Sequence, residues 1–180
     1  MQIVDVQIRT MQPADLSMVR EWRNHPDVRR YMFQTHEITA WEHHSWFEKI
    51  QAEQSKLALI VEDSCGPFGY VHFNNVCSGG IADWGFYTRP DAPKGCGTRL
   101  GRTALSYAYD FLELHKVCGQ VIEGNAASLA FHQKMGFRKE GVLREHKIID
   151  ESHHTIICFG LLKTEWQASV QNEKAVSDRD

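Results

Sequence analysis

Between residues 57 and 88 three apolar runs are separated by turns too short for anything but hairpins. Leu57–Val61 is continuously apolar, Ser64-Cys65-Gly66-Pro67 turns it into Phe68–Asn75, and Gly79-Gly80 turns that into Ile81–Thr88. Short turns join antiparallel neighbours, because a parallel pair needs a crossover of about a dozen residues or more. Such a crossover follows. After the loop Pro90–Gly97, residues Leu100, Ala104, Tyr107, Ala108 and Phe111 mark one face of a long helix, and Val117–Glu123 reads as the next strand. The chain must therefore build a mixed α/β sheet, antiparallel first, with one strand–helix–strand passage later.

The flanking segments fit that frame. Ile3–Thr10 alternates Val4, Val6 and Ile8 with polar partners, as a half-buried strand does. Pro13-Ala14-Asp15 opens a helix with Leu16, Val19 and Trp22 inward, and Asn24-His25-Pro26 ends it, since a residue before proline avoids the helical region. A helical turn over Asp27–Tyr31 follows. Thr39-x-x-Glu42 is a capping box for a helix running to about Glu53, with Trp46, Phe47 and Ile50 on its inner face. Ala127–Met135 forms a short helix stopped by Gly136, and Val142–Ile149 with Thr155–Leu162 forms a hairpin around Asp150–Ser152. One domain over residues 1–166 is expected. The polar stretch from Gln167 to Asp180 lacks periodicity and is expected to be disordered.

Composition narrows the function. With 20 basic and 23 acidic residues the formal charge is −3, so no basic field exists to hold nucleic acid. No apolar run reaches the roughly 18 residues of a membrane span, and Asp5, Arg9, Asp15, Arg20 and Glu21 interrupt any apolar leader. Five scattered cysteines without a C-x-x-C pattern read as reduced thiols in a cytoplasmic protein. The pairs His43-His44 and His153-His154 cannot form metal sites alone, because adjacent side chains point to different faces, so no metal is expected.

Chemistry concentrates in two elements. In Pro93-Lys94-Gly95-Cys96-Gly97-Thr98-Arg99, between strand and helix, two glycines let successive N–H groups converge on one spot, with Lys94 and Arg99 beside it. That is an anion site of the phosphate or pyrophosphate kind. About thirty residues on comes Asn125-x-x-Ser128-x-x-x-His132-x-Lys134-x-Gly136-Phe137, where a strand gives way to a helix. Together these two elements resemble the GNAT acetyltransferase superfamily, over roughly Ile3 to Trp166. The resemblance implies a mixed, largely antiparallel sheet splayed between its fourth and fifth strands and flanked by helices. It also implies acetyl-CoA as cosubstrate, its pyrophosphate at Lys94, Gly95, Cys96, Gly97, Thr98 and Arg99. The pantetheine arm would lie along the backbone at Phe86 and Thr88, with Asn125, Ser128 and Lys134 beside it. Ala92 stands where the family usually carries Gln or Arg, and the loop is a residue short.

Trp22-Arg23-Asn24-His25-Pro26, Tyr31-Met32-Phe33, Ile38-Thr39 and His43-x-x-Trp46-Phe47 resemble the branch of that superfamily that acetylates UDP-4-amino-4,6-dideoxy sugars in pseudaminic acid synthesis, whose product decorates flagellin. This implies a small nucleotide-sugar substrate and direct transfer in a ternary complex; a homodimer is left open. Arg23, His25 and His43 are candidates for the diphosphate, Met32 and Phe33 for the uracil or sugar methyl, and Asn74 and Asn75 for further substrate contacts. His132 stands where relatives carry a general-acid tyrosine. It is either the acid for the departing thiolate or a hydrogen-bond donor to CoA. Glu123 is the first candidate for the base, with Asp83, His72 or a water chain as alternatives. Two rivals remain: a ribosomal-type N-terminal acetyltransferase, and a catalytically silent acetyl-CoA binder.

Overall fold

The computed structural model describes residues 5–177. Seven strands form one sheet, in the spatial order β1 (Gln7–Thr10), β2 (Leu57–Asp63), β3 (Gly66–Asn74), β4 (Ile81–Thr88), β5 (Lys116–Ile122), β7 (Ser152–Leu162), β6 (Arg138–Ile149). Every neighbouring pair is antiparallel except β4 with β5. The helices are α1 (Leu16–Asn24), α2 (Pro26–Arg29), α3 (Ala40–Ala52), α4 (Cys96–Ser106), α5 (Ala126–Lys134) and α6 (Lys163–Ser177). The meander and the crossover are as the turn lengths require.

The unbroken apolar run of β2 has a simple cause: both faces of the sheet are covered. Leu59 and Val61 face α4, joining Val71, Phe73, Leu100, Ala104 and Leu105 in the larger core. Ala58, Ile60 and Tyr70 face the other way, packing with Met11, Val19 of α1 and Phe47 of α3. The capping box on α3 is complete, since Thr39 Oγ1 accepts from the Glu42 N–H at 3.2 Å and Glu42 accepts from the Thr39 N–H at 2.7 Å. On its inner face Phe47 is buried as expected, whereas Trp46 and Ile50 are only half-buried, and His43 is buried beside Phe47.

Three expectations change. The first strand begins at Gln7; Ile3 and Val4 lie outside the described residues. Phe111, expected inward, is 71% exposed. The cause is a π-helical turn over Tyr107–Phe111, where the Leu112 N–H donates to the Tyr107 carbonyl at 3.0 Å and the inserted residue rotates the face that follows. Tyr109 and Leu114 occupy the core instead. Finally, residues 167–177, expected to be disordered, continue helix α6. Trp166 is buried against Tyr109 with ring centroids 6.2 Å apart, and Val170, one turn on, packs on the same core. Two apolar residues at i, i+4 are too few to show as a period in a polar sequence.

The Tyr109 hydroxyl, fully buried, donates to the Leu161 carbonyl at 2.6 Å and ties the π-helical turn to β7. Tyr109→Phe removes that buried bond and should cost about 1–2 kcal/mol, read as a lowered midpoint in urea with an unchanged slope.

Candidate active site

Strands β4 and β5 pair over only three residues, Ile81↔Lys116, Ala82↔Val117 and Asp83↔Cys118. Beyond Asp83 they diverge, so one edge of β4 from Trp84 to Thr88 is released from its neighbour while β3 still pairs with the other. A wedge stands at the fork. Trp84, the first residue past the pairing, donates its indole N–H to His132 Nε2 at 3.3 Å. His132 comes from α5 and is 3% exposed, stacked on Phe159 at 5.0 Å. Gly119, the first residue of β5 past the pairing, leaves the space both rings use; a Cβ there would meet His132 Nε2 at 2.6 Å and Trp84 Nε1 at 3.0 Å.

This arrangement dictates the His132 tautomer. An indole nitrogen only donates, so Nε2 must accept, and Nδ1 carries the proton that it donates to the Ser128 carbonyl at 2.8 Å. Burial also holds the imidazole below its ordinary pKa. Its one proton is committed to the backbone and faces away from the fork. The acid role expected of His132 therefore lacks a donor, and the ring serves to prop the fork.

The glycine loop has the form of an anion cradle. Gly95 adopts φ +96° as the N-cap of α4, a conformation that favours glycine. At Gly95 and at Gly97 a Cβ would meet nothing within 4 Å, so both border open space before the free N–H groups of an 11-residue helix. Cys96 is buried and serves the core. Lys134 Nζ donates to Thr98 Oγ1 at 3.0 Å, bringing two expected cofactor residues from separate helices together. Asn125 caps α5, its side chain accepting from the Ser128 N–H at 3.1 Å. Arg99 is already engaged, paired with Asp63 and lying over the Phe68 ring at 4.8 Å. It braces the loop against β2 and β3.

A cavity of about 870 Å³ opens on the α3 side of β3 and β4 and reaches the fork. Arg23, Met32, Phe33, His43, Asn74, Phe86, Asn125, Ser128 and His132 line it, as do His72, Asp83 and Trp84. Arg23 is buried; its Nη2 donates to the Gln34 carbonyl at 2.6 Å, while Nη1 has no partner among the described residues. The loop after α1 is held over the cavity from both ends. Asn24 bonds both the N–H and the carbonyl of Ile38 at 2.8 Å, and Thr35 donates to Asp150 in the β6–β7 turn at 2.6 Å.

Three expected site residues lie elsewhere. His25 does not line the cavity; it accepts the Asp27 N–H at 3.3 Å as the cap of α2. Asn75, at φ +63°, forms the turn after β3 and donates to Asp83 at 3.1 Å. Glu123 falls one residue past β5, is exposed and is not among the residues that line the cavity. Strand alternation placed it beside Val121 and Gly119, but the strand ends first. The residues missed were Trp84 and the lysines Lys49 and Lys56 on the cavity wall. The signal for Trp84 was an aromatic alternating with Phe86 on a strand that loses its partner.

Among the described residues no group of three His, Cys, Asp or Glu side chains is placed to hold a metal, and no helix is long and apolar enough to cross a membrane. A splayed sheet with a glycine loop at the helix beside the fork leaves one strand edge and one helix N-terminus open to a phosphorylated ligand. The acetyltransferase (GNAT) domain family matches residues 5–138, and the chain belongs to that family. It is an acetyl-CoA-dependent N-acetyltransferase. It is 27% identical over 123 residues to acetyltransferase PseH of Campylobacter jejuni, covering 68% of this chain and 76% of that one. It is 26% identical over 156 residues to the spermidine N(1)-acetyltransferase of Escherichia coli, covering 84% and 83%. The spermidine N-acetyltransferase of Vibrio cholerae, solved with CoA and spermine, superposes with a TM-score of 0.81 at 22% identity, over 90% of this chain and 98% of that one.

Two predictions follow from the fork and the chamber. Gly119→Ala forces the two rings apart; it should destabilise the fold by about 1–3 kcal/mol and weaken acetyl-CoA binding at least tenfold by titration calorimetry. Burial, with Arg20 and Arg23 nearby, lowers the His43 pKa to about 4. A folded-state value below the unfolded one, about 6.5, adds stability that is complete above pH 6.5 and lost as pH falls toward 4. The melting temperature should drop across that window, and less steeply in His43→Gln.

Proposed function

We propose that the enzyme transfers acetyl from acetyl-CoA to the 4-amino group of a UDP-4-amino-4,6-dideoxy-N-acetylhexosamine, a step of pseudaminic acid synthesis. The observation that carries this reading is the buried cation on the wall of the acceptor chamber. Arg23 and Lys49 stand there, with Lys56 already paired with Glu53 at 2.8 Å, opposite two carboxylates that are themselves engaged, Glu42 with Thr39 and Asp83 with Asn75. Arg23 is suited to the diphosphate, because its guanidinium is buried with one nitrogen unpaired. Met32 and the half-exposed Phe33 offer an apolar surface for uracil or the sugar methyl, His43 and Asn74 line the same space, and the volume suits a nucleotide sugar. The PseH relative supports the same acceptor class.

In the ternary complex the pyrophosphate of acetyl-CoA would meet the N–H groups of Gly97 and Thr98, those of Cys96 and Arg99 being bonded to the Pro93 and Gly95 carbonyls, with Lys94 and the Lys134–Thr98 pair beside it. The pantetheine arm would run along Phe86 and Thr88, past Asn125 and Ser128. The amine attacks the thioester carbonyl carbon, and a backbone N–H of the freed β4 edge meets the oxyanion. A polyamine acceptor is the second reading, favoured by the carboxylates of Glu42 and Asp83 and by the spermidine acetyltransferase relative.

Purified protein should convert acetyl-CoA and the UDP-4-amino sugar to acetylated sugar, by mass spectrometry, with matching release of CoA thiol. Arg23→Met should raise the sugar KM about 10–100-fold and leave that of acetyl-CoA unchanged. Turnover of spermidine with none of the sugar would overturn this assignment.

A further inference from the structure

Four imidazoles line the acceptor cavity: His36, His43, His72 and His132. Three are committed. His36 bonds Glu42 at 3.3 Å, His43 holds a hydrogen bond to the Leu16 backbone, and His132 spends both nitrogens on Ser128 and Trp84. His72 differs: among the described residues its ring nitrogens have no hydrogen-bond partner, and its ring contact is with Tyr70, centroids 5.9 Å apart.

Its position is specific. His72 on β3 stands opposite Gly85 on β4. Gly85 lies two residues beyond Asp83, the last residue of β4 paired with β5, and immediately before Phe86, so it belongs to the freed stretch. A Cβ at residue 85 would meet the His72 ring at 2.3–3.2 Å, so the imidazole lies directly on that strand, in the space the glycine leaves. The carboxylates compare poorly as proton acceptors. Glu123 is outside the cavity lining, and Asp83, two residues before Gly85, already accepts from Asn75 where β4 still pairs with β5.

We infer that His72 is a catalytic residue of the transfer, taking the proton from the attacking amine and passing it to the departing thiolate. The amine lone pair forms the C–N bond to the thioester carbonyl carbon, and the carbonyl π electrons move to oxygen. The nitrogen, now positively charged, gives its proton to the free lone pair of His72. The oxyanion re-forms the carbonyl, the C–S bond breaks with its electron pair on sulfur, and the imidazolium gives its proton to that thiolate. Amide, CoA thiol and neutral imidazole result, with no further reactant. Burial lowers the pKa of His72 to about 4, which keeps the ring neutral at the start but makes it a weak base, so the proton taken from the positively charged nitrogen is held only in passing before the imidazolium gives it to the thiolate, whose thiol normally titrates near 8.5. The inference rests on acetyl-CoA lying along β4 and is independent of which amine is the acceptor.

The test uses the full chain with His72→Ala and His72→Gln, the UDP-4-amino sugar and spermidine each being offered first to the unaltered enzyme. Sugar inert and spermidine acetylated overturns the sugar assignment alone, and the variants are then measured on spermidine. Both variants should keep acetyl-CoA affinity within about threefold while kcat falls about 10²–10⁴-fold, and added imidazole should restore His72→Ala at least tenfold. A His72→Gln enzyme retaining a tenth of the rate, a loss of rate matched by loss of acetyl-CoA affinity, or failure of imidazole rescue overturns the role. A readout without acceptor guards against an enzyme inert to both amines. Diethyl pyrocarbonate at pH 7 should modify His72 and acetyl-CoA should slow that modification; an unmodified His72 beside modified surface histidines overturns the inference.

Discussion

The hydrogen bond from the Trp84 indole to His132 Nε2 is the contact on which the functional half of the structure depends. It sits where β4 and β5 stop pairing, and it spans three elements: a strand residue, a helix residue, and the missing side chain of Gly119. Parallel strands left to themselves would continue their ladder, because unpaired backbone groups in a buried sheet are costly. Two aromatic rings meet where that ladder ends, and beyond them the β4 edge facing β5 has no strand partner, which leaves it open to a ligand. The same bond consumes the imidazole as a proton donor. A histidine in the position of a catalytic acid here props the fork, its one proton held by the Ser128 carbonyl.

The two faces of the sheet divide the work. The α4 face holds the larger core and, through Gly95 at the N-cap, the anion cradle. The α1 and α3 face holds a smaller core and, where those helices stop short of β4, the acceptor chamber. Arg23 and His43 sit between that core and the chamber. Both are desolvated, which lowers the pKa of each, but the guanidinium keeps its charge while the imidazole loses its own. The chamber thus presents a fixed cation beside a neutral ring. The loop between Asn24 and Ile38 is tied to α1 by one asparagine and to the β6–β7 turn by the Thr35–Asp150 bond, so its Met32 and Phe33 face the chamber.

The sheet meander, the crossover helix, the Thr39–Glu42 cap, the glycine loop and the acetyltransferase signature were all legible in the sequence. Each rests on local physics: turn length limits strand pairing, side-chain oxygens satisfy nearby N–H groups, and glycine adopts a positive φ. Such causes act within a few residues of one another. Residues of those motifs expected to bind the cofactor, such as Asn125, Ser128 and Lys134, accordingly lie near the fork or the glycine loop.

What the tertiary structure alone decided depends on partners far apart in sequence. The tautomer of His132 is set by a tryptophan 48 positions away, and the lone imidazole of His72 is recognised by the contacts other histidines make and it does not. Glu123, His25 and Asn75 had plausible chemistry, but a strand that ended one residue early, a two-residue cap and a turn directed them elsewhere. The π-helical turn that exposes Phe111 and the helix that Trp166 and Val170 anchor both answer to core contacts made across the sheet. Sequence determines which segments are strands and helices because those preferences are local. Which side chain keeps a free lone pair in the finished chamber is a property of the packing, which no single segment contains.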